Sequence, residues 1–320
     1  MYDLKYYRDN FAIDQIILIL HLNHSKMKVV ILSRNIGLYS TQRLILECRK
    51  KGHNVQVIDP LTCNLVIDNS SSHIVDNTGQ IIKADWVLPR IGSTATNFGA
   101  AVIRQFELQG VSVTTPSQAL LDARDKLVAL QLLAKNKLPI PKTALLSPME
   151  IDETLIKREF EFPAIVKLLD STHGLGVILS ETAQNGVAIS EAFQRLHHKF
   201  IIQKFIKESA GQDIRAFVVD GEVVASMLRS APEGEYRSNM HRGATAQVVE
   251  LTSEEKDTVL KATKAVGLTI SGVDIMRSND GPLILEVNAS PGLEGIEGVT
   301  KVNVAGSIIA YGDKLARANK

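Results

Sequence analysis

The 320-residue chain has only two cysteines, Cys48 and Cys63, and no Cys-x-x-Cys pair. That excludes a disulfide framework and a cysteine-built zinc site, and it predicts a reducing, cytoplasmic setting. Aromatic residues make up 5%, too few for a row of base-stacking platforms. Charge of one sign is lacking too: 36 Lys and Arg stand against 35 Asp and Glu, a formal net charge of +1. The one short basic run, RKK at 49–51, reads as a solvated helix end, so no nucleic-acid partner is expected. Long apolar runs are missing as well. Ile16–Leu20 falls far short of the ~20 residues a membrane span needs, and MYDLKYYRDN lacks the marks of a secretory leader. A membrane partner is therefore not expected, and an anchoring role for this segment is the lesser alternative. Met27 opens MKVVILS, which reads as the first strand of an α/β domain. Residues 1–26 are accordingly expected to be an upstream extension without a catalytic role.

A hydrophobic fraction of 45% with 22% charged residues describes a globular chain long enough for about two domains. From Met27 onward, strand-like runs (29–33, 54–59, 86–92, 111–115) alternate with helical patterns at 40–51 and 97–109, each helix stopped by a glycine. That alternation predicts a parallel sheet covered on both faces. A dinucleotide-binding reading is strongly disfavoured, because the first strand-to-helix turn, SRNIGLYS, has one glycine where the fingerprint needs three. One long helix is expected over 117–136 with Ser117 as its N-cap. PIPKTALL (139–146) then reads as an extended linker near the domain boundary. A second alternation follows, then hairpins turning at Asp220-Gly221 and at Asn279-Asp280-Gly281-Pro282.

The chemistry sits in polar residues where apolar ones belong. In LILEVNAS, Glu286 and Asn288 are two apart and share a strand face. If 272–277 pairs antiparallel with 283–288, Asp274 joins them. Two carboxylates and an amide oxygen make an all-oxygen set suited to Mg2+. The competing reading is a surface hairpin with solvated acids, which the apolar flanks disfavour. The loop STHGLGV (171–177) carries Gly174 and Gly176, which can bring backbone N–H groups to phosphate oxygens, although it is no Walker A motif. Alone it is weak. Lys167 on the apolar strand AIVKLL strengthens it, because a buried lysine needs an anion. Lys126 is a second cation, equally explicable as solvated. Arg215, Arg237 and Arg242 add forks suited to phosphate or carboxylate. His241 reads as a loop residue and His197-His198 as a solvated helix end.

Together these positions, with PRIG (89–92), RSNMHRG (237–243) and EVNASPGLEGIE (286–297), resemble the ATP-grasp superfamily and, more closely, its RimK family. The resemblance spans 27–310. It implies an α/β fold (α+β in its ATP-grasp half) with three parts. Residues 27–118 would be an N-terminal parallel-sheet pre-ATP-grasp domain. Residues 119–320 would be a two-lobed ATP-grasp module, and about 139–204 of it the lid. ATP would lie between two antiparallel sheets. Lys126, Lys167, Gly174, Gly176, the hinge residues Gln203, Lys204 and Phe205, Asp213, Arg237, Ser238 and Asn239 would surround the nucleotide. Asp274, Glu286 and Asn288 would hold two Mg2+ or Mn2+ ions, and Arg215 and Arg242 would act catalytically by steadying the phosphoryl oxygens and the tetrahedral oxyanion. Relatives tend to carry an acid at the Lys204 position, which weakens a side-chain contact to adenine. The implied reaction is carboxylate–amine ligation through an acyl phosphate. It would add glutamate to the C-terminus of a small-subunit ribosomal protein, with chain extension, in a homotetramer. The alternatives are a coenzyme or amino-acid carrier protein as acceptor, or a nucleotide-binding regulator without turnover.

Overall fold

The computed structural model describes residues 26–169, 176–238 and 243–319. The extension at 1–25, Gly174, Asn239, His241 and Arg242 lie outside the described residues.

The N-terminal part contains β1 (Lys28–Leu32), α1 (Tyr39–Lys50), β2 (Asn54–Ile58), the hairpin β3 (Asn64–Val66) and β4 (His73–Val75), β5 (Trp86–Pro89), α2 (Thr96–Leu108) and β6 (Ser112–Val113). Four of these strands form a parallel sheet in the order β2-β1-β5-β6. The unbroken apolar runs of β1 and β5 fit this position: Val29 through Leu32 and Trp86 through Pro89 are all buried, as expected with both faces covered.

Two helices follow where one was expected: α3 (Ser117–Arg124) and α4 (Lys126–Lys135). Asp125 causes the break. Its carboxylate accepts from the N–H groups of Leu127 and Val128 at 2.9 and 3.1 Å, so it caps α4 and ends α3. Ser117 is not a cap either. It is the first helical residue, and its N–H and Oγ donate to the Glu107 carboxylate at 2.8 and 2.6 Å.

The segment expected to be the lid, called the lid below, comprises β7 (Thr143–Leu145), α5 (Glu153–Glu159), β8 (Ala164–Leu168), β9 (Val177–Ser180), α6 (Ala183–Arg195) and β10 (Phe200–Lys204). Its four-stranded sheet runs β7-β10-β8-β9 with antiparallel neighbours. The expected linker is thus partly an edge strand. The remainder holds β11 (Gln212–Val219), β12 (Glu222–Ser230), β13 (Thr245–Val248), α7 (Ser253–Ala265), β14 (Ile270–Ser278), β15 (Gly281–Asn288), α8 (Glu294–Thr300) and α9 (Val304–Ala318). Its sheet, β13-β12-β11-β14-β15, is antiparallel throughout.

Core packing divides the molecule differently from the chain order. Trp86, Ile31 and Leu88 of the parallel sheet share one buried cluster with Phe217, Met227 and Ile308, so the N-terminal part and the large sheet are fused. The lid has its own core, built on Phe200, Val166, Ile202 and Ile156.

Both thiols lie inside. Burial pushes Cys48 up to about 12 and Cys63 up to about 11. Since the thiolate is the reactive form, neither thiol should react with a disulfide reagent at pH 8 while the chain is folded, and both should react in denaturant. Rapid labelling of one thiol in the native state would contradict this packing. Among the described residues no helix is long and apolar enough to cross a membrane.

Candidate active site

The two antiparallel sheets face each other across a cleft of about 1560 Å3. Registers on the large sheet bring the polar side chains to the cleft side. Asp213 lies opposite Arg229, Arg215 opposite Asp274, Asp274 opposite Glu286, and Gly272 opposite Asn288. Directly paired residues share a face, so one strand-crossing row of charge results. The pairing expected between 272–277 and 283–288 is therefore present, with a bulge after Asp274.

The row is an alternating ion chain. Arg229 donates Nε and Nη2 to the two Asp213 oxygens at 2.6 Å each, and its Nη2 lies 3.0 Å from Asp274. Arg215 grips Asp274 from the other side, through Nε to Oδ1 and Nη2 to Oδ2, the latter at 2.6 Å. Burial acts on every member and the partners decide the outcome. For Asp274 burial would raise the pKa, but Arg215 and Arg229 together hold the carboxyl well below its usual range. Arg229 and Arg215 are held above theirs by the acids they touch, against the same desolvation. Asp213 goes the other way: burial, then the nearby Asp274 charge, pushes it up, against Arg229 and Ser238.

Glu286 and Asn288 continue the row. Asn288 Nδ2 donates to the Gly272 carbonyl at 3.2 Å and to Glu286 Oε1 at 3.0 Å. With Asp213 and Asp274 matched by two arginines, Glu286 is the carboxylate of the row that has no ion pair among the described residues. No group of three or more His, Cys, Asp or Glu side chains converges there, again among the described residues. The donor set is all oxygen, two carboxylates and an amide, which fits a hard divalent cation at Glu286 and Asn288. Asp274 reaches such an ion only by sharing or exchanging its arginine partners.

Gly272 makes this packing feasible. A Cβ there would meet Pro291 Cβ at 2.7 Å and Arg215 Cδ at 3.2 Å. On the lid, Lys167 and Gln203 line the cleft. Gln203 Nε2 donates to Thr143 Oγ1 at 2.9 Å, so its side chain braces the lid sheet. The Lys204 side chain is exposed and its N–H donates to the Lys142 carbonyl at 2.8 Å, so that amide is already committed; Phe205 follows, half-buried. Lys126 Nζ donates to the Leu168 carbonyl at 3.3 Å, which ties α4 to β8. Gly176 has φ +65°, and a Cβ there would come within 2.5 Å of Leu168. Only glycine suits that entry into β9.

Arg237 is clamped by Glu235, Nε to Oε1 at 2.8 Å and Nη2 to Oε2 at 2.7 Å, and stacks over Tyr236. The Arg237 hydrogen bond holds the Glu235 carboxyl down at about 2. Its contribution is thus present above the ordinary carboxylate range and lost only as pH falls through about 2. Tyr236 Oη donates to the Val177 carbonyl at 2.8 Å and accepts from the Leu179 N–H at 3.2 Å. This hydroxyl stitches β9 of the lid to the segment after β12, across the cleft. Tyr236→Phe should raise the KM for the nucleotide several-fold with little change in stability; an unchanged KM would show that the stitch does not hold the lid.

Reasoning from sequence missed Arg229, Arg90 and Arg124, all of which line the cleft. The signal for Arg229 was present in EVVASMLRS: Ala225, Met227 and Arg229 alternate on one buried face, where a cation demands an acid.

A parallel-sheet domain fused to a two-sheet clamp, with lysines on one jaw and an oxygen-ligand pair on the other, defines an ATP-grasp ligase, a class that uses ATP with a divalent cation. The solved structure of the ATP-grasp ligase PsnB complexed with minimal precursor superposes with a TM-score of 0.70 at 21% identity, over 92% of this chain and 99% of that one. The D-alanine–D-alanine ligase of Bacillus anthracis gives 0.65 at 16% identity, over 92% and 98%. The RimK PreATP-grasp domain matches residues 27–120 and the RimK-like ATP-grasp domain matches 123–311. The chain belongs to the RimK family. It is 46% identical over 295 residues to the probable alpha-L-glutamate ligase of Thioalkalivibrio sulfidiphilus (strain HL-EbGR7), covering 92% of this chain and 98% of that protein. The protein of the same name from Shewanella loihica (strain ATCC BAA-1088 / PV-4) is 47% identical over 294 residues, covering 92% and 97%.

Proposed function

We propose that the chain is an ATP-dependent alpha-L-glutamate ligase. It joins the amine of free glutamate to the C-terminal carboxylate of a small-subunit ribosomal protein, and repeated cycles extend a glutamate tail. The observation that carries this is the near-full-length identity to relatives bearing that name. A peptide acceptor is supported by the fold neighbour complexed with precursor peptide. Two buried, unpaired thiols suit a cytoplasmic location, and a homotetramer follows from the family likeness.

In the reaction, a carboxylate oxygen of the acceptor attacks the γ-phosphorus of ATP and ADP leaves. The glutamate amine then attacks the acyl carbon, loses a proton and expels phosphate, leaving an amide. Asp274, Glu286 and Asn288 would hold two Mg2+ or Mn2+ ions, which supply charge neutralisation at the phosphates. Lys126, Lys167, the glycine turn with Gly174 and Gly176, and Arg237 to Asn239 bind the nucleotide, with residues 203–205 against adenine. Arg215 and Arg242 stabilise charge on the phosphoryl and acyl oxygens. Asp213, engaged by Arg229, serves the ribose through its place beside Ser238. Intact-mass spectrometry of the candidate ribosomal protein after incubation with ATP, Mg2+ and glutamate tests this directly. Successive glutamyl increments at its C-terminus are expected; an unmodified mass alongside glutamate-dependent ADP release would move the reaction to another acceptor.

A further inference from the structure

Arg215, Arg229 and Arg237 are matched by acids, whereas the half-buried Arg90 and Arg124 are not. Arg90 follows β5, and its Nη2 donates to the Pro291 carbonyl at 2.6 Å. Arg124 ends α3 and donates through Nη2 to the Ile91 carbonyl. Among the described residues these neutral carbonyls are their hydrogen-bond partners, and Arg124 Nε is buried with none. The two cations repel each other: burial, then the charge of Arg124, brings Arg90 down to about 10. The carboxylate whose field reaches Arg124 is Glu286, which acts through space without a contact.

Two half-buried guanidiniums on one wall, neither in contact with an acid, are suited to a ligand that supplies the anion. Each carries five N–H donors and spends few on the protein, so forks suited to carboxylate remain. Both line the cleft on the wall formed by β5 and α3, within reach of the charge of Glu286. Under the reaction proposed above, the incoming amino acid reacts through its amine and keeps both carboxylates. A dicarboxylate needs two cationic partners, and this wall presents two.

We propose that Arg90 and Arg124 bind the carboxylates of the incoming amino acid and select a dicarboxylate over its neutral amide. This inference rests on the glutamate-ligase reading. Its test is ADP release by the full chain with a glutamate-ended synthetic peptide as acceptor, titrating glutamate, glutamine and ATP in turn. Arg90→Lys and Arg124→Lys keep the charge and lose the fork. Each should raise the KM for glutamate roughly 30- to 100-fold, the size of effect expected for a lost charged hydrogen-bond pair. The KM for ATP should move less than about threefold, and the preference for glutamate over glutamine should collapse toward parity. Fluorescence of Trp86, the one tryptophan, reports whether each variant is folded, and Arg124→Lys carries the test if Arg90→Lys is not. Wild-type turnover with glutamate and variants of unchanged KM would overturn this inference alone. A KM for ATP that rises in step with that for glutamate would overturn it in favour of a nucleotide role. A wild-type chain indifferent to glutamate would overturn both this inference and the reading beneath it.

Discussion

Glu286→Ala should lower turnover by on the order of 10³-fold or more while leaving the circular dichroism spectrum and unfolding midpoint close to wild type. The reasoning is electrostatic. Phosphates of ATP bring several negative charges to a cleft whose lining already contains Asp213, Asp274 and Glu286. The first two are neutralised internally by Arg229 and Arg215. Glu286 is the acid of that row proposed to hold the cation, and Asn288 Nδ2 lies 3.0 Å from its Oε1. Under that proposal, removing it takes away the principal cation ligand and leaves the Arg215–Asp274–Arg229–Asp213 ion pairs in place, so function and fold separate. Mg2+-dependent turnover near the wild-type rate in this variant would move the metal site elsewhere.

Arg229→Met should instead destabilise the fold by about 3–5 kcal/mol, the cost of leaving a buried partner uncompensated. Arg229 is 6% exposed and Asp213 7%. Loss of the guanidinium strands Asp213, whose carboxyl burial already pushes upward. Adding Asp213→Asn to Arg229→Met removes the stranded charge and should recover a large part of the loss; the shortfall from additivity measures the pair directly. Urea unfolding followed by Trp86 fluorescence suits the measurement, because Trp86 shares its core with Phe217 and Met227 of the same sheet. A single variant as stable as wild type would show that the ion chain contributes nothing to the fold.

The contrast between these two substitutions explains what sequence alone could show. Glu286 and Asn288 were legible because they interrupt an apolar run at a two-residue interval, and the tight turn at 279–282 fixed their strand against Asp274. The alternation of β1, α1 and β2 likewise fixed the parallel sheet. Arg229 was harder to see, since its meaning depends on standing opposite Asp213 sixteen residues away. The split at Asp125 was hidden by an unbroken helical pattern through DARDKL; a side chain that caps one helix ends another, and periodicity does not register that. Arg90 and Arg124 are held by the carbonyls of Pro291 and Ile91 respectively, backbone groups that carry no side-chain signature at all. Ser117 was misread for a related reason: the acid that satisfies its N–H, Glu107, belongs to the preceding helix.

The proposed ligase reaction requires this clamp to couple ATP cleavage to consumption of glutamate. Steady-state ADP release, measured with Mg2+ and a glutamate-ended peptide while free amino acids are supplied one at a time, tests it most directly. Turnover should require glutamate, saturate with it, and fall to background with glutamine or alanine. Equal ADP release without any amino acid, or with a neutral one in place of glutamate, would contradict it.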